Sequence, residues 1–255
     1  MTRRLSRVPI LPVLTAVLLL VASTLMPAAR AERTQRFAEA QLFFELNDTD
    51  GDLGIHASID GEPWTDLEIE GPDDRRLLNI FSRGRLRKQG LTQLSFESAE
   101  PSFDELDPAD FFRRFPEGHY EIEGIAQGGG TIESRALLSH VLAAPPENIL
   151  ISGAPAADSC DAEPLPTVSA PVTIDWDPVT QSHPEIGRRG RITVSGYQLF
   201  VEREGVKLSL DLPPTVTHFE IPTGITNLGK EFKFEIIVRT TRGNNTAVES
   251  CFELH

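Results

Sequence analysis

Three aspartates in one turn, Asp48, Asp50 and Asp52, have the residue type and spacing closest to a known ligand site. Carboxylates at alternate positions of a loop can converge on Ca²⁺, and these three match the first ligand positions of an EF-hand loop. The match ends there, because Leu53 stands where that loop needs glycine and Ile59 where it needs a bidentate glutamate. The sequence therefore predicts a structural turn. A calcium site of another kind stays open as the alternative, and no other cofactor is expected.

The only two cysteines, Cys160 and Cys251, form the second group with predictable chemistry. In an oxidising compartment, two cysteines in one exported chain commonly pair. Val248 and Phe252 share the inward parity of the last predicted strand, so Cys251 points outward, where a preceding segment can cross it. We expect a Cys160–Cys251 disulfide, which would close a loop of about 90 residues and restrict the unfolded chain.

The sequence has no nucleophile elbow, phosphate loop, dinucleotide fingerprint or paired-histidine zinc motif. Glutamates two positions apart in a strand share a face, whereas glycosidase carboxylates usually come from different strands. His119 and His140 fall on opposite faces of their predicted hairpin. We therefore predict a protein that is not an enzyme. Asn47 and Asn244 each begin an Asn-Xaa-Thr pattern, the acceptor of N-glycosylation in a eukaryotic secretory pathway.

Residues 1–31 have the parts of a secretory signal peptide. Arginines precede an apolar run over residues 8–25, and the small residues Ala29 and Ala31 favour cleavage after Ala31. We expect an exported protein, periplasmic or extracellular, with no transmembrane anchor after cleavage. The mature chain would hold 20 basic and 38 acidic residues, a formal charge of −18. Because such a surface repels phosphate backbones, nucleic acid is not an expected ligand.

Two hairpins can be registered between residues 32 and 143 by matching side chains across a turn. We place the turns at Asp50-Gly51 and at the glycines 128–130. The predicted pairs are Leu46 with Ile55, Phe44 with Ala57 and Leu42 with Ile59 in the first hairpin, and Tyr120 with Leu138, Ile122 with Ala136 and Glu123 with Arg135 in the second. One face of each hairpin is then apolar, which is typical of a sandwich.

Three more strands are expected around Leu67, Leu78 and Leu94, with a turn at residues 61–63 before the first of them. The basic segment 75–88 is interpreted as a solvated strand face, with a partner site as the alternative. The one helix expected in the mature chain has Asp107 as N-cap, Pro108 as its first residue, Asp110 in a capping box and its end at Pro116. Its three phenylalanines, Phe111, Phe112 and Phe115, should close one end of the core.

The composition divides the chain into a signal peptide (1–31), an N-terminal β-sandwich (32–143), a proline-rich linker (144–170) and a C-terminal β-sandwich (171–255). The linker is expected to be stiff and to hold the two modules apart. The fold class is therefore all-β, with two sandwiches in tandem and one short helix in the first.

Alternating apolar residues mark five strands in the C-terminal segment. At 171–176, 196–202 and 232–244 the chain resembles a fibronectin type III domain, and the resemblance covers about 85 residues. Phe232 stands where that family usually has a corner tyrosine. The resemblance implies an immunoglobulin-like sandwich and a spacer or binding surface, since such folds serve many unrelated functions.

These observations predict an exported binding or adhesion protein with an unknown protein or glycan ligand. A structural spacer is the first alternative. An accessory carbohydrate-binding module or a cell-envelope enzyme is the second, and it would need an exposed aromatic strip. Trp64 and Trp176 are the only tryptophans, and Trp176 is expected in the core.

Overall fold

The structure is a computed structural model that describes residues 34–255. The predicted signal peptide and its cleavage site lie outside the described residues. The elements are β1 (Glu39–Asn47), β2 (Asp52–Glu70), β3 (Arg76–Phe81), α1 (Gly84–Gln89), β4 (Leu91–Glu97), α2 (Pro108–Arg114), β5 (Gly118–Ala126), β6 (Thr131–Leu138), β7 (Leu150–Ile151), β8 (Ala154–Pro155), β9 (Thr167–Val168), β10 (Val172–Asp175), β11 (Val194–Arg203), β12 (Val206–Leu212), β13 (His218–Ile221), α3 (Thr223–Thr226), β14 (Glu231–Thr240) and β15 (Asn245–Leu254). None of the helices between residues 34 and 255 is long and apolar enough to cross a membrane.

The predicted all-β sandwich architecture is confirmed, and each half of the described chain has its own apolar core. In the N-terminal half, β2 runs through both layers: residues 52–60 pair with β1 and β4, and residues 66–70 pair with β3 and β5. The core between these layers includes Phe44, Trp64 and Ile122, all fully buried. The core of the C-terminal half lies between β11, β14 and β15 on one side and β10 and β13 on the other.

The two halves share one sheet. β15, the last strand of the chain, pairs in parallel with β1, so that Glu45 lies beside Asn245 and Asn47 beside Ala247. The sheet therefore runs without a break in the order β12-β11-β14-β15-β1-β2-β5-β6. The paired residues of β1 and β15 are 200 positions apart in the sequence. A local sequence pattern does not reveal such a pairing.

Both predicted hairpin registers are wrong by two residues. In the first hairpin Leu46 faces Leu53, Phe44 faces Ile55 and Leu42 faces Ala57. In the second, Tyr120 faces Ala136, Ile122 faces Ser134 and Arg135 faces Glu121, so that Glu123 faces Glu133. The first turn is longer than predicted because the side chain of Asn47 accepts hydrogen bonds from the backbone N–H groups of Thr49 and Asp50. A shift of two residues keeps every side chain on its predicted face.

Three further expectations in the N-terminal half are corrected. Residues 61–63 do not form a turn, because β2 continues through them with an irregular register between Asp60 and Trp64. The prediction of a single helix is also wrong, since α1 is present in this half besides α2, and α3 is present in the C-terminal half. α1 overlaps the end of the basic segment 75–88, so the interpretation of the whole segment as a strand face is wrong. Arg75, Arg76 and Arg87 of this segment pair with nearby carboxylates, as expected of a solvated face.

The helix predicted after Asp107 is confirmed as α2. The Asp107 carboxylate accepts a hydrogen bond from the N–H of Ala109 at 2.7 Å, and Pro108 occupies the first turn. The predicted capping box is wrong, because the Asp107 carboxylate bonds to Ala109 and the Asp110 carboxylate pairs with Arg113. Phe111 and Phe112 are buried, and both rings contact Phe44 edge-on at centroid distances of 6.0 and 5.3 Å. The helix closes one end of the first core, as its phenylalanines predicted.

Residues 144–170 do not separate the halves as a stiff spacer. β7 pairs with β10, and β9 pairs in parallel with the last residues of β15, an interior strand of the shared sheet. Ile151 and Val168 are buried in the second core. The segment therefore completes the C-terminal sandwich, because its few apolar residues are needed to cover that core. The division into separate domains at residues 32–143 and 171–255 stays a prediction.

The predicted strands of the C-terminal half are all present. Trp176 is buried and meets Tyr197 edge-on at 5.4 Å. The Tyr197 hydroxyl accepts a hydrogen bond from the N–H of Val179 at 2.9 Å. Phe232 stacks on Phe252. These contacts fill the core without a corner tyrosine at position 232.

Candidate binding cleft

A cleft of about 810 Å³ opens where α2 of the N-terminal half meets a loop of the C-terminal half. Its lining residues come from α2 and its N-cap, the segment before β5, the segment after β6 and the loop before β11. They are Asp107, Pro108, Ala109, Phe112, Arg113, Pro116, Glu117, His140, Glu185, Ile186, Gly187 and Arg188. The volume falls within the range of about 300 to 1,000 Å³ that is usual for ligand sites.

The apolar wall of the cleft depends on the position of α2. The Asp107 cap fixes the first turn of this helix, and the burial of Phe111 fixes the face that it turns to the core. Phe112, the next residue, then packs against the imidazole of His140, with ring centroids 4.6 Å apart. Pro108 and Ile186 complete this wall.

The polar wall is built around Glu117. One of its carboxylate oxygens accepts hydrogen bonds from the backbone N–H of His140 at 2.6 Å and from the Arg188 guanidinium at 3.0 Å, and the other accepts a second bond from Arg188 at 3.1 Å. These bonds to Arg188 are the main cause that lowers the pKa of Glu117 to about 2. The carboxylate is therefore ionised across the physiological pH range.

Gly187 allows the loop of the C-terminal half to approach closely. Its φ of +76° lies in the left-handed region, and a Cβ atom there would lie 2.3 Å from the carbonyl oxygen of His140. The same carbonyl accepts a hydrogen bond from the N–H of Arg188 at 2.7 Å. Gly187 thus places Arg188 opposite Glu117.

The imidazole of His140 in this cleft is held by the backbone. The Nε2 atom of His140 lies 2.8 Å from the carbonyl oxygen of Phe115, so this nitrogen is engaged with the backbone. A cleft with apolar rings on one side and a fixed ion pair on the other can orient a ligand that is itself partly apolar.

The cleft walls keep their relative position because hydrogen bonds join the two halves behind them. Asn244, in the turn between β14 and β15, is fully buried. Its amide oxygen accepts from the N–H of Phe44 at 3.0 Å, and its amide nitrogen donates to the carbonyls of Ser139 and Val141 at 2.6 and 3.0 Å. The Thr246 hydroxyl donates to the carbonyl of Ala143 at 3.0 Å.

The three aspartates of the predicted turn are each engaged separately. Asp48 lies 2.8 Å from Nε2 of His183, and Asp50 accepts a hydrogen bond from the Asn47 amide at 3.2 Å. Burial, together with Glu100 and Asp50, raises the pKa of Asp52 to about 6. Within residues 34–255 no group of three His, Cys, Asp or Glu side chains is placed to hold a metal ion. The calcium alternative stays a prediction that this geometry does not support.

Cys160 and Cys251 lie at disulfide distance, with their sulfur atoms 2.07 Å apart and their Cα atoms 4.7 Å apart. Cys251 points outward from β15, as the strand parity predicted. The cleft residues Glu117, His140 and Arg188, in contrast, were not predicted as a site. They lie up to 71 positions apart and match no motif, so only the packing of the two halves could reveal them.

No protein-family model matches the chain, and no curated protein matches it in sequence. Solved structures with a similar fold include the chicken CNTN1 FN1-FN3 domains, at 9% identity and a TM-score of 0.32 over 86% of this chain and 68% of that one. A two-domain fibronectin type III segment of chicken tenascin has 10% identity and a TM-score of 0.29 over 86% and 99%. A fragment of a 1.5-MDa bacterial ice-binding adhesin has 9% identity and a TM-score of 0.24 over 86% and 64%. At these scores the likenesses carry no conclusion about ligand or activity.

Proposed function

We propose that this is an exported binding or adhesion protein without enzymatic activity, and that its ligand, a protein or glycan, binds in the cleft between α2 and the loop that carries Arg188. The observation that carries this proposal is the composition of the cleft. Its walls come from both halves, its volume is about 810 Å³, and its Glu117–Arg188 pair is fixed by hydrogen bonds. Two cysteines at disulfide distance support export, because structural disulfides persist in oxidising compartments.

The arrangement of the halves supports a binding role over a spacer role. A spacer of tandem domains needs length, whereas here the two halves share a sheet and a buried set of hydrogen bonds. Such a junction places residues of both halves on one surface at fixed distances, which lowers the entropic cost of binding a ligand. Neither tryptophan can stack on a glycan at the surface, since Trp64 and Trp176 are both buried.

A pull-down with residues 32–255 tests the proposal. The immobilised protein is incubated with envelope extract and with culture medium, and retained molecules are identified by mass spectrometry. In a second sample Ala109→Trp fills the cleft from an exposed position of α2. Arg85→Trp, on the exposed helix α1 outside the cleft, is the control.

We expect a retained partner that Ala109→Trp loses at least tenfold and that Arg85→Trp keeps. If both variants retain the partner equally, the cleft is not the binding site. If nothing is retained from either source, the spacer role is favoured. Conversion of a retained glycan would instead indicate an enzyme.

A further inference from the structure

The second layer of the N-terminal half has an outer face that no other element of residues 34–255 covers. We call it the acidic sheet face and define it by the outward residues of four adjacent strands, β3, β2, β5 and β6. Their register aligns the side chains in rows, in the order of the strands. The rows are Arg76, Glu70, Glu121 and Arg135; Asn79, Glu68, Glu123 and Glu133; and Phe81, Asp66, Ile125 and Thr131.

Large apolar side chains are exposed on this face. Phe81 and Ile125 flank Asp66 on its two sides and are 59% and 41% exposed. Between them lies a depression of about 230 Å³ whose floor and sides include Glu68 and Glu123. This volume is below the range of about 300 to 1,000 Å³ for whole ligands, so it suits a single long side chain.

The carboxylates around the depression differ in their partners. Asp66 is held by Arg87 at 2.9 Å, and Glu68 by Arg76 at 2.7 Å. Glu123 and Glu133 are directly opposite each other, and among residues 34–255 no cationic side chain lies within ion-pair distance of either. Like charges in opposed positions of a sheet are destabilising. The face therefore carries a local excess of negative charge beside exposed apolar side chains.

We infer that the acidic sheet face docks a basic polypeptide segment and that the depression between Phe81 and Ile125 takes one of its Lys or Arg side chains. The aliphatic stem of such a side chain would pack on the two apolar residues, while its cationic head would meet Glu123 and the open face of the Phe81 ring. A metal ion is not the occupant that the geometry favours, since no three ligating side chains converge within residues 34–255. A second copy of the chain is disfavoured by like charge, because the protein is strongly acidic.

This surface shares no residue with the cleft, and the inference does not depend on the function proposed for the cleft. The two can therefore fail separately. Loss of binding at the face should leave the ligand of the cleft unaffected.

A defined peptide tests the inference. The probe is a fluorescent nine-residue peptide of alternating Lys and Val, titrated with residues 32–255 and followed by anisotropy. The matching peptide of alternating Glu and Val is the probe control. Glu123→Gln removes one charge from the depression, and Phe81→Ala removes its apolar side. Glu220→Gln removes the same charge from an exposed position on β13 of the C-terminal half.

We expect the Lys peptide to bind, more weakly at higher salt, and the Glu peptide not to bind. Glu123→Gln should weaken binding about fivefold and Phe81→Ala about tenfold, with Glu220→Gln within about twofold of wild type. An equal loss in Glu123→Gln and Glu220→Gln would show only general attraction to an acidic protein and would overturn the inference. Absence of binding by the Lys peptide would overturn it as well. Both changed side chains are exposed, and unchanged melting temperatures confirm that the variants are folded.

Discussion

The two sides of the shared sheet, where β1 meets β15, differ in how they are stabilised. On the inner side, Asn244 and Thr246 of the C-terminal half are buried, neutral and hydrogen-bonded through their side chains to the N-terminal half. On the outer side, Glu45, Glu235 and Glu249 come close together from three neighbouring strands. The junction is thus stabilised by hydrogen bonds on its inner side and destabilised by repulsion between like charges on its outer side.

The pKa of Glu235 shows the effect of this like charge on the outer side. Burial is the largest cause that raises the pKa of this carboxyl to about 7, followed by repulsion from Glu45 and Glu249. Lys207 and Lys233 act in the opposite direction, but Lys233 is itself paired with Glu249 at 2.6 Å. The neutral groups of the inner side need only hydrogen-bond partners. The carboxylates of the outer side also need other groups to offset their mutual repulsion.

The largest effect is expected from the disulfide on the outer side. Removing it in the double variant Cys160→Ser, Cys251→Ser frees a loop of 91 residues in the unfolded chain and should lower the free energy of unfolding by about 4 kcal/mol. Urea unfolding of wild type with and without reductant measures this loss. The double variant with reductant is the control, since it has no bond left to reduce. Equal stability of oxidised and reduced wild type would show that the bond is absent.

Asn244→Ala should have the next largest effect, because it removes the amide that joins the halves on the inner side. The N–H of Phe44 and the carbonyls of Ser139 and Val141 would lose their partners while still buried. At roughly 1 kcal/mol for each group, the loss in the free energy of unfolding is about 3 kcal/mol. The matched control is Asn227→Ala at an exposed asparagine, expected to change stability by less than about 0.5 kcal/mol. A loss no greater than that of the control would mean that the inner side does not hold the junction.

The outer side makes the stability of the protein depend on pH. The folded state raises the pKa of Glu235 from 4.5 to about 7, so it favours the protonated carboxyl. Stability should therefore increase as the pH falls from above 7 towards 5, and Glu235→Gln should remove most of this increase, leaving the smaller part due to Asp52, whose pKa is raised to about 6. At pH 8 the variant should be more stable than wild type by roughly 1 kcal/mol, a value discounted for solvent screening. Thermal unfolding at pH 8 and pH 6 tests this.

Glu231→Gln is the matched control, because Glu231 is an exposed carboxyl on the same strand. It should leave the pH dependence of the wild type unchanged. If the stability of Glu235→Gln depends on pH in the same way as that of wild type, the charge on the outer side does not destabilise the junction.

The sequence was informative where a pattern repeats locally. Alternation identified the strands of the C-terminal half, and the phenylalanines after Asp107 identified the helix that closes the first core. Strand parity predicted that Cys251 points outward. Each of these depends on residues that are close together in the chain.

The sequence was not informative where two registers bury the same face or where distant segments meet. Both hairpins were misplaced by two residues because either register keeps the apolar side chains inside, and in the first hairpin the choice depended on the side chain of Asn47. Asn244 looked like a glycosylation acceptor, yet it is buried between the halves. The pairing of β1 with β15 and the meeting of Glu117 with Arg188 depend on assembly of the whole chain.

The smallest effect is expected from calcium at the turn beside the junction. If Ca²⁺ bound Asp48, Asp50 and Asp52, it would neutralise part of the outer side and so reduce the difference between the two sides. In the structure the Asp48 carboxylate instead contacts His183, and the Asp50 carboxylate accepts a hydrogen bond from Asn47. We therefore expect about 5 mM calcium to raise the melting temperature by less than about 1 °C, since a ligand that binds the folded state in excess would stabilise it measurably. Calorimetry of wild type and Asp50→Ala over a calcium series decides the matter. A rise that grows with calcium concentration in wild type and disappears in Asp50→Ala would establish a calcium site and show that the turn is part of how the outer side is held.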